Sequence, residues 1–262
     1  LVSSSAASDV YKRQVFTLLG GTLLAVSANV LNQIFEIETD RLMERTANRP
    51  LVTGEINKKS AYVYSTSLGL VGFLVLYTQT TELAAFIALS ANIFYSFIYT
   101  LVLKPRTNQN IVIGGAAGAA PVLIGWSATG TNLDTGSWLL FLLVFLWTPA
   151  HFWALSIDKL NDYKDANFPM LPTQESYKRT SIFIGIYSCA TVLTSLLLAP
   201  ILQLGMVYLL LSLIFGLYLM YKSYQLYRKQ IKAISYFVFS NTYLAVIFLS
   251  MVADIFITLS SI

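Results

Sequence analysis

No charged side chain stands between Val15 and Phe35, and uncharged runs of similar length return at 61–81, 83–103, 107–133, 135–157, 180–221 and 233–253. A helix that crosses the hydrocarbon of a bilayer needs about 20 residues. The run at 180–221 is long enough for two crossings, with Pro200 and Gly205 marking the turn between them. Eight spanning helices are predicted. Barrel strands are excluded, because they are short and alternate in polarity, whereas these runs are continuously apolar. Composition agrees: 56% of the 262 residues are hydrophobic and 11% charged, against roughly 25% charged in a soluble domain. The expected fold is an all-α, multi-pass transmembrane bundle.

The charges then fix topology. Beyond residue 14 every Lys and Arg falls in 41–59, 104–106, 159–179 or 222–232, and the alternate connections have none. Short loops rich in Lys and Arg stay on the cytoplasmic side, so these four are expected there, and a cytoplasmic (inner) membrane is the expected location. The first fourteen residues, "LVSSSAASDVYKRQ", break the pattern with Lys12 and Arg13 at the outer end and have no apolar signal-peptide core. They resemble translated sequencing-adapter sequence, so 1–14 is expected to be a non-native leader and 15–262 one membrane domain. Cys189, the only cysteine, is expected to serve packing inside a span, since one thiol makes neither a disulfide nor a cysteine metal site.

Acids gather at two helix ends. Asn32, Glu36 and Asp40 are spaced by four and share a helical face. Asp158 and Asp162 repeat the spacing at a second helix end, and in both places an Asn and a Pro-containing stop follow. Two such ends facing one another would form one site. Carboxylates of this kind suit Mg²⁺, which prefers one or two of them together with substrate phosphates. Arg45, Arg49, Lys104 and Arg106 lie on the same side, and cations beside metal-binding acids point to a diphosphate. Glu38, Glu44 and Asp165 read as solvated loop charges.

The blocks "NQIFEIETDRLMERTANRPLVTG", "LKPRTNQNIVIGGAAGAAPVLIGWSATG" and "FLWTPAHFWALSIDKLNDYKDANFPMLP" resemble the signatures of the UbiA-type intramembrane prenyltransferase superfamily, and the last two resemble its haem branch, the protoheme IX farnesyltransferases (haem O synthases). The resemblance implies nine helices around a central cavity, hence one more upstream of the eight present, and reduced activity without it. It implies Asn32, Glu36 and Asp40 in a first acidic motif and Asp158 and Asp162 in a second, both catalytic and both holding Mg²⁺. Arg45, Arg49, Lys104 and Arg106 would bind the diphosphate. Farnesyl diphosphate and haem b would be the substrates, the lipid bilayer the surroundings, and haem A synthase or a terminal oxidase assembly system the partners; nucleic acid is not expected. The sequence departs from the superfamily pattern at Glu36, where Asp is usual, and in the second motif, where Asn161 precedes Asp162 and Ala166 follows four residues after it.

His151, the only histidine, stands seven residues before Asp158, two turns or about 10 Å deeper on nearly the same face. It is the expected haem-binding residue. Trp147 and Trp153, and the small residues of "GGAAGAAP" at 114–121, are expected at helix contacts. Asp254 has no role in this scheme. Two other readings remain: a prenyltransferase of the same superfamily acting on a quinone precursor or chlorophyll-like acceptor, and a membrane transporter. Intramembrane carboxylates also mark ion pathways, but those are expected deeper in the helices than these.

Overall fold

The computed structural model describes residues 4–260, with side chains placed for 9–257; Leu1–Ser3 of the expected leader lie outside the described residues. Helix α1 runs unbroken from Ser4 to Phe35, and the short α2 (Ile37–Asp40) and α3 (Pro50–Thr53) follow. Next come α4 (Lys58–Gln79) and α5 (Glu82–Ile93), the latter continued by a π-helical segment, Phe94–Leu103. Then follow α6 (Asn110–Ala128), α7 (Thr135–Asp158), α8 (Leu160–Asp165) and α9 (Leu171–Gln174). Finally α10 (Tyr177–Ile201), α11 (Met206–Tyr227) and α12 (Ala233–Ser260) complete the chain. Among the described residues eight helices are long and apolar enough to cross a membrane, the number predicted. The turn expected at 200–205 separates α10 from α11, with Gln203 in the left-handed region at φ 53°.

Local chemistry sets the helix starts. The side chains of Asn57, Thr81 and Ser176 accept backbone N–H bonds from Ser60, Ala84 and Arg179, and Asp134 forms a reciprocal capping box with Ser137. Each satisfies N–H groups that the first helical turn leaves without partners. Helix α11 begins after Gly205, which has no side chain to cap with. Here Asp254, buried on α12, accepts from the N–H groups of Gly205 and Tyr208. The acid left unexplained by the sequence therefore caps a neighbouring helix, and its negative charge meets the positive end of that helix.

The spans pack as two halves. Leu24, Leu76, Ala84, Ala88 and Ile124 form the core of α1, α4, α5 and α6. A second, larger core around Trp153, Ile184, Leu219, Tyr236 and Tyr243 joins α7 with α10, α11 and α12. The α1–α4 contact depends on small residues: a Cβ on Gly72 would stand 2.8 Å from the carbonyl oxygen of Gly20, and Ser65 Oγ donates to the Ser27 carbonyl at 2.9 Å. In the other half Tyr243 donates to Ser195 Oγ at 2.8 Å and Tyr208 to the Ser195 carbonyl at 2.7 Å. Without a hydrophobic drive between helices in lipid, close approach and interhelical hydrogen bonds carry the association. Trp153 is enclosed against Phe183 and Tyr187 of α10, the packing role expected of it. Cys189 differs from expectation: it sits on the exposed side of α10, because Ile184, Ser188, Thr191 and Val192 occupy the inward stripe.

Candidate active site

The first acidic segment sits at a break in a helix. Glu36 leaves helical geometry (φ −104°, ψ 13°) between α1 and α2, yet the hydrogen bonds from Glu36 N–H to Asn32 and from Asp40 N–H to Glu36 persist at 3.0 and 2.7 Å. The four-residue register therefore survives, and Asn32, Glu36 and Asp40 stay on one side. All three are buried, at 7, 6 and 4% exposure. Lys159 (φ −104°, ψ 32°) makes the same kind of break between α7 and α8, so the internal echo seen in the sequence has a backbone counterpart at the start of each half.

A parallel helix faces the first segment at a constant offset. Asn92 Nδ2 donates to the Leu24 carbonyl at 2.8 Å, Asn32 Nδ2 donates to Thr100 Oγ1 at 3.2 Å, and Lys104 Nζ donates to Glu36 Oε2 at 2.7 Å. The π-helical turn makes the last two contacts possible. Thr100 Oγ1 and the Lys104 N–H bond five residues back, to the carbonyls of Tyr95 and Tyr99. Such insertions of one residue per turn are common at functional sites.

Charge compensation is local and complete for the first motif. Lys104 Nζ lies 2.6 Å from Glu36 Oε1 as well, so the ammonium sits across both oxygens of the buried carboxylate. Arg49 donates to Asp40 Oδ2. Phe168 offers its ring face to Lys104 Nζ at 4.6 Å, a cation–π contact. The second motif is more open: Asp158 pairs with its neighbour Lys159 at 3.4 Å, and Asp162 is half-buried. Arg45 and Arg106 are exposed. Glu38 pairs with Arg41 on the surface at 3.2 Å, and Glu44 and Asp165 are exposed, as expected of solvated charges.

Tyr163 and Asn110 lie beside the motifs, and neither is evident from the sequence. Tyr163, buried on α8, lies within electrostatic reach of Arg45, Asp162 and Glu36; burial raises its phenol above the ordinary value, with Arg45 opposing. It is neutral and stands within reach of charges from both motifs. Asn110 is fully buried, with Nδ2 3.4 Å from the Lys104 carbonyl and 3.5 Å from the Pro169 carbonyl. The only sequence signal for either was position, inside or next to the charged blocks. Among the described residues no three acids, histidines or cysteines come together as a protein-only metal cage. The donor set nonetheless fits Mg²⁺: the ligands are hard oxygens, the carboxylates of Glu36 and Asp40 are buried on one side of the same helix end, and Mg²⁺ in phosphate sites takes few protein ligands.

Behind the charges lies a cavity of about 370 Å³ lined by α1, α5 with its π-helical extension, α6 and α7. Its walls are mostly apolar and small, with Ala25, Ala28, Ala88, Ala91 and Gly118 among them; Asn29, Asn92, Tyr95, Tyr99 and Thr148 are polar exceptions. The "GGAAGAAP" stretch does not serve helix contact alone. Gly114 meets Tyr99 closely, but a Cβ on Gly118 would meet nothing within 4 Å, so that position opens onto the cavity. His151 lies beside this space rather than in its wall. Its ring is stacked between Trp147 and Phe237, with centroids 4.2 and 4.1 Å away, and Nδ1 is 2.7 Å from Ser240 Oγ. Trp147 Nε1 donates to the Ser240 carbonyl at 2.8 Å, tying α7 to α12.

The chain is 42% identical over 242 residues to the protoheme IX farnesyltransferase of Clavibacter sepedonicus, covering 90% of this chain and 79% of that one. It is equally similar to the Synechocystis enzyme of the same name, covering 97% and 81%. The Thermus thermophilus protein so named also matches at 42% identity, but this chain spans only 39% of its length. Among solved structures, a digeranylgeranylglyceryl phosphate synthase superposes with a TM-score of 0.77 at 22% identity, covering 92% of this chain and 85% of that one. A UbiA homologue from Archaeoglobus fulgidus bound to GPP and Mg²⁺ gives 0.65 at 16% identity, covering 92% and 88%. At those identities the fold alone is shared. The UbiA prenyltransferase family model matches residues 2–252, and the chain belongs to that family.

Proposed function

We propose that this protein transfers the farnesyl group of farnesyl diphosphate to a vinyl group of haem b, making haem O at the cytoplasmic face of a bacterial inner membrane. The observation that carries the reading is the union of buried carboxylates and cations, Glu36 with Lys104 and Asp40 with Arg49, near one end of an apolar cavity. A molecule with a diphosphate head and a hydrocarbon tail has that polarity. Haem as acceptor is supported by the relatives named protoheme IX farnesyltransferase.

In this reading Glu36 and Asp40, with Asn32, and Asp158 with Asp162 hold Mg²⁺. Bound there, the metal supplies Lewis-acid neutralisation of the diphosphate. Lys104 and Arg49, with Arg45 and Arg106 nearer the surface, stabilise the negative charge that develops on diphosphate as the allylic C–O bond breaks. The small apolar wall shields the farnesyl cation from early water. The vinyl carbon attacks the cation, and a water oxygen then adds to the resulting carbocation with loss of a proton. His151, beside the cavity, is the proposed contact at the acceptor end. Its neighbours Thr148 and Phe152 line the cavity.

The test is a membrane assay with haem b, farnesyl diphosphate and Mg²⁺, read by mass for farnesylated haem. A product that disappears with EDTA is expected. Farnesylation of a phenolic acceptor but not of haem would move the protein to another branch of the family. Farnesylation of neither acceptor would overturn the reading.

A further inference from the structure

Two cations and two carboxylates of the first motif have, on the reading above, two incompatible sets of partners. In the structure Lys104 holds Glu36 and Arg49 holds Asp40. During turnover the same cations are needed by diphosphate and the same carboxylates by Mg²⁺. Both pairs are largely withdrawn from solvent, the side chains being 15% and 7% exposed for Lys104 and Glu36 and 28% and 5% for Arg49 and Asp40.

Burial makes these pairs hard to open one partner at a time. A buried carboxylate that loses its cation and gains nothing is an uncompensated charge. A divalent ion arriving alone would sit beside an ammonium and a guanidinium in a medium that screens poorly. An entering diphosphate removes both obstacles, because it offers anionic oxygens to the two cations and leaves the carboxylates free. Lys104 Nζ stands within 2.7 Å of both Glu36 oxygens, so withdrawing this one cation frees the whole carboxylate at once. Phe168 keeps a ring face on the ammonium at 4.6 Å. The second motif has no equivalent: Asp158 pairs with the adjacent Lys159, half in solvent at 3.4 Å, and such a surface pair is weak.

We propose that Lys104 and Arg49 are resident counter-ions that block Glu36 and Asp40 against free metal, and that diphosphate draws them away, so metal and diphosphate bind cooperatively. This rests on the metal–diphosphate reading of the site and adds to it an exchange of partners. The consequence is protective: the metal is recruited at the first motif when a diphosphate is present to receive its charge.

The experiment uses the full chain in lipid nanodiscs, with Mn²⁺ as the probe read by electron paramagnetic resonance, with and without inorganic pyrophosphate. Complexation of Mn²⁺ by pyrophosphate is subtracted from a protein-free titration. Wild-type protein is expected to bind Mn²⁺ at least tenfold more tightly with pyrophosphate than without, and linkage requires the same factor for pyrophosphate when Mn²⁺ is varied. Lys104→Met and Arg49→Met should each tighten Mn²⁺ binding in the absence of pyrophosphate by about tenfold, whereas Lys104→Arg, which keeps the charge, should leave it as weak as in wild type. If pyrophosphate-dependent Mn²⁺ binding is present but neither Met variant alters binding of the metal alone, the exchange is overturned and the metal–diphosphate reading stands. The exchange is equally overturned, with that reading intact, if Lys104→Arg behaves like Lys104→Met. Absence of Mn²⁺ binding even with pyrophosphate would overturn both.

Discussion

At Glu36 a single residue meets two demands: its backbone ends α1, and its buried carboxylate pairs through both oxygens with a lysine 68 positions away. Glu36→Gln and Asp40→Asn retain the shape of each side chain and remove its charge. Each is expected to lower kcat by about a hundredfold or more, the scale of losing one preorganised electrostatic contact, with the protein still folded; steady-state mass detection of the product checks this. Asp254 has the opposite profile. It caps α11 far from the charged site, so Asp254→Ala should cost about 1–2 kcal/mol of stability, seen as a lower Tm, with kcat unchanged at a temperature where the variant is folded. The four-residue spacing made Asn32, Glu36 and Asp40 legible in the sequence. Asp254 was not legible, because its partner N–H groups belong to residues nearly fifty positions earlier and come within reach only when α11 packs on α12.

Helices add a second level, at which register matters more than composition. The π-helical segment Phe94–Leu103 carries Thr100 to Asn32 and Lys104 to Glu36. Inserting one further residue after Thr100, such as an alanine next to Val102, would turn Lys104 by about 100° around the helix. Loss of diphosphate binding is expected, with far-UV circular dichroism unchanged; pyrophosphate titration measures it. Uncharged runs and boundary residues were enough to place all eight spans, and the Asn, Thr, Asp and Ser at helix starts explain where four of them begin. The π-helical register was hidden, since "FYSFIYTLVL" is equally good as ordinary α-helix and only tertiary contacts select the wider turn.

The cavity belongs to the whole molecule, being enclosed by helices from both halves. Because a Cβ on Gly118 would enter open space, Gly118→Leu should leave the fold and the Tm close to wild type. It should also raise KM for farnesyl diphosphate several-fold, and less for a shorter prenyl diphosphate; a chain-length series measures the difference. Gly72→Leu differs in kind, because its Cβ would collide with the backbone of α1.

The sequence by itself determined the membrane-spanning class, the eight helices, the shared side of the basic loops and the two acidic segments, because hydrophobic length, charge placement and four-residue spacing are local properties of the chain. Only the tertiary structure decided that Lys104 and Arg49 neutralise Glu36 and Asp40, that Gly118 opens onto a cavity, that Trp147 and Phe237 enclose His151, and that Asp254 caps a helix. Each of these depends on which surfaces the helices bring together, and in lipid that choice is made by close packing and polar contacts between distant segments.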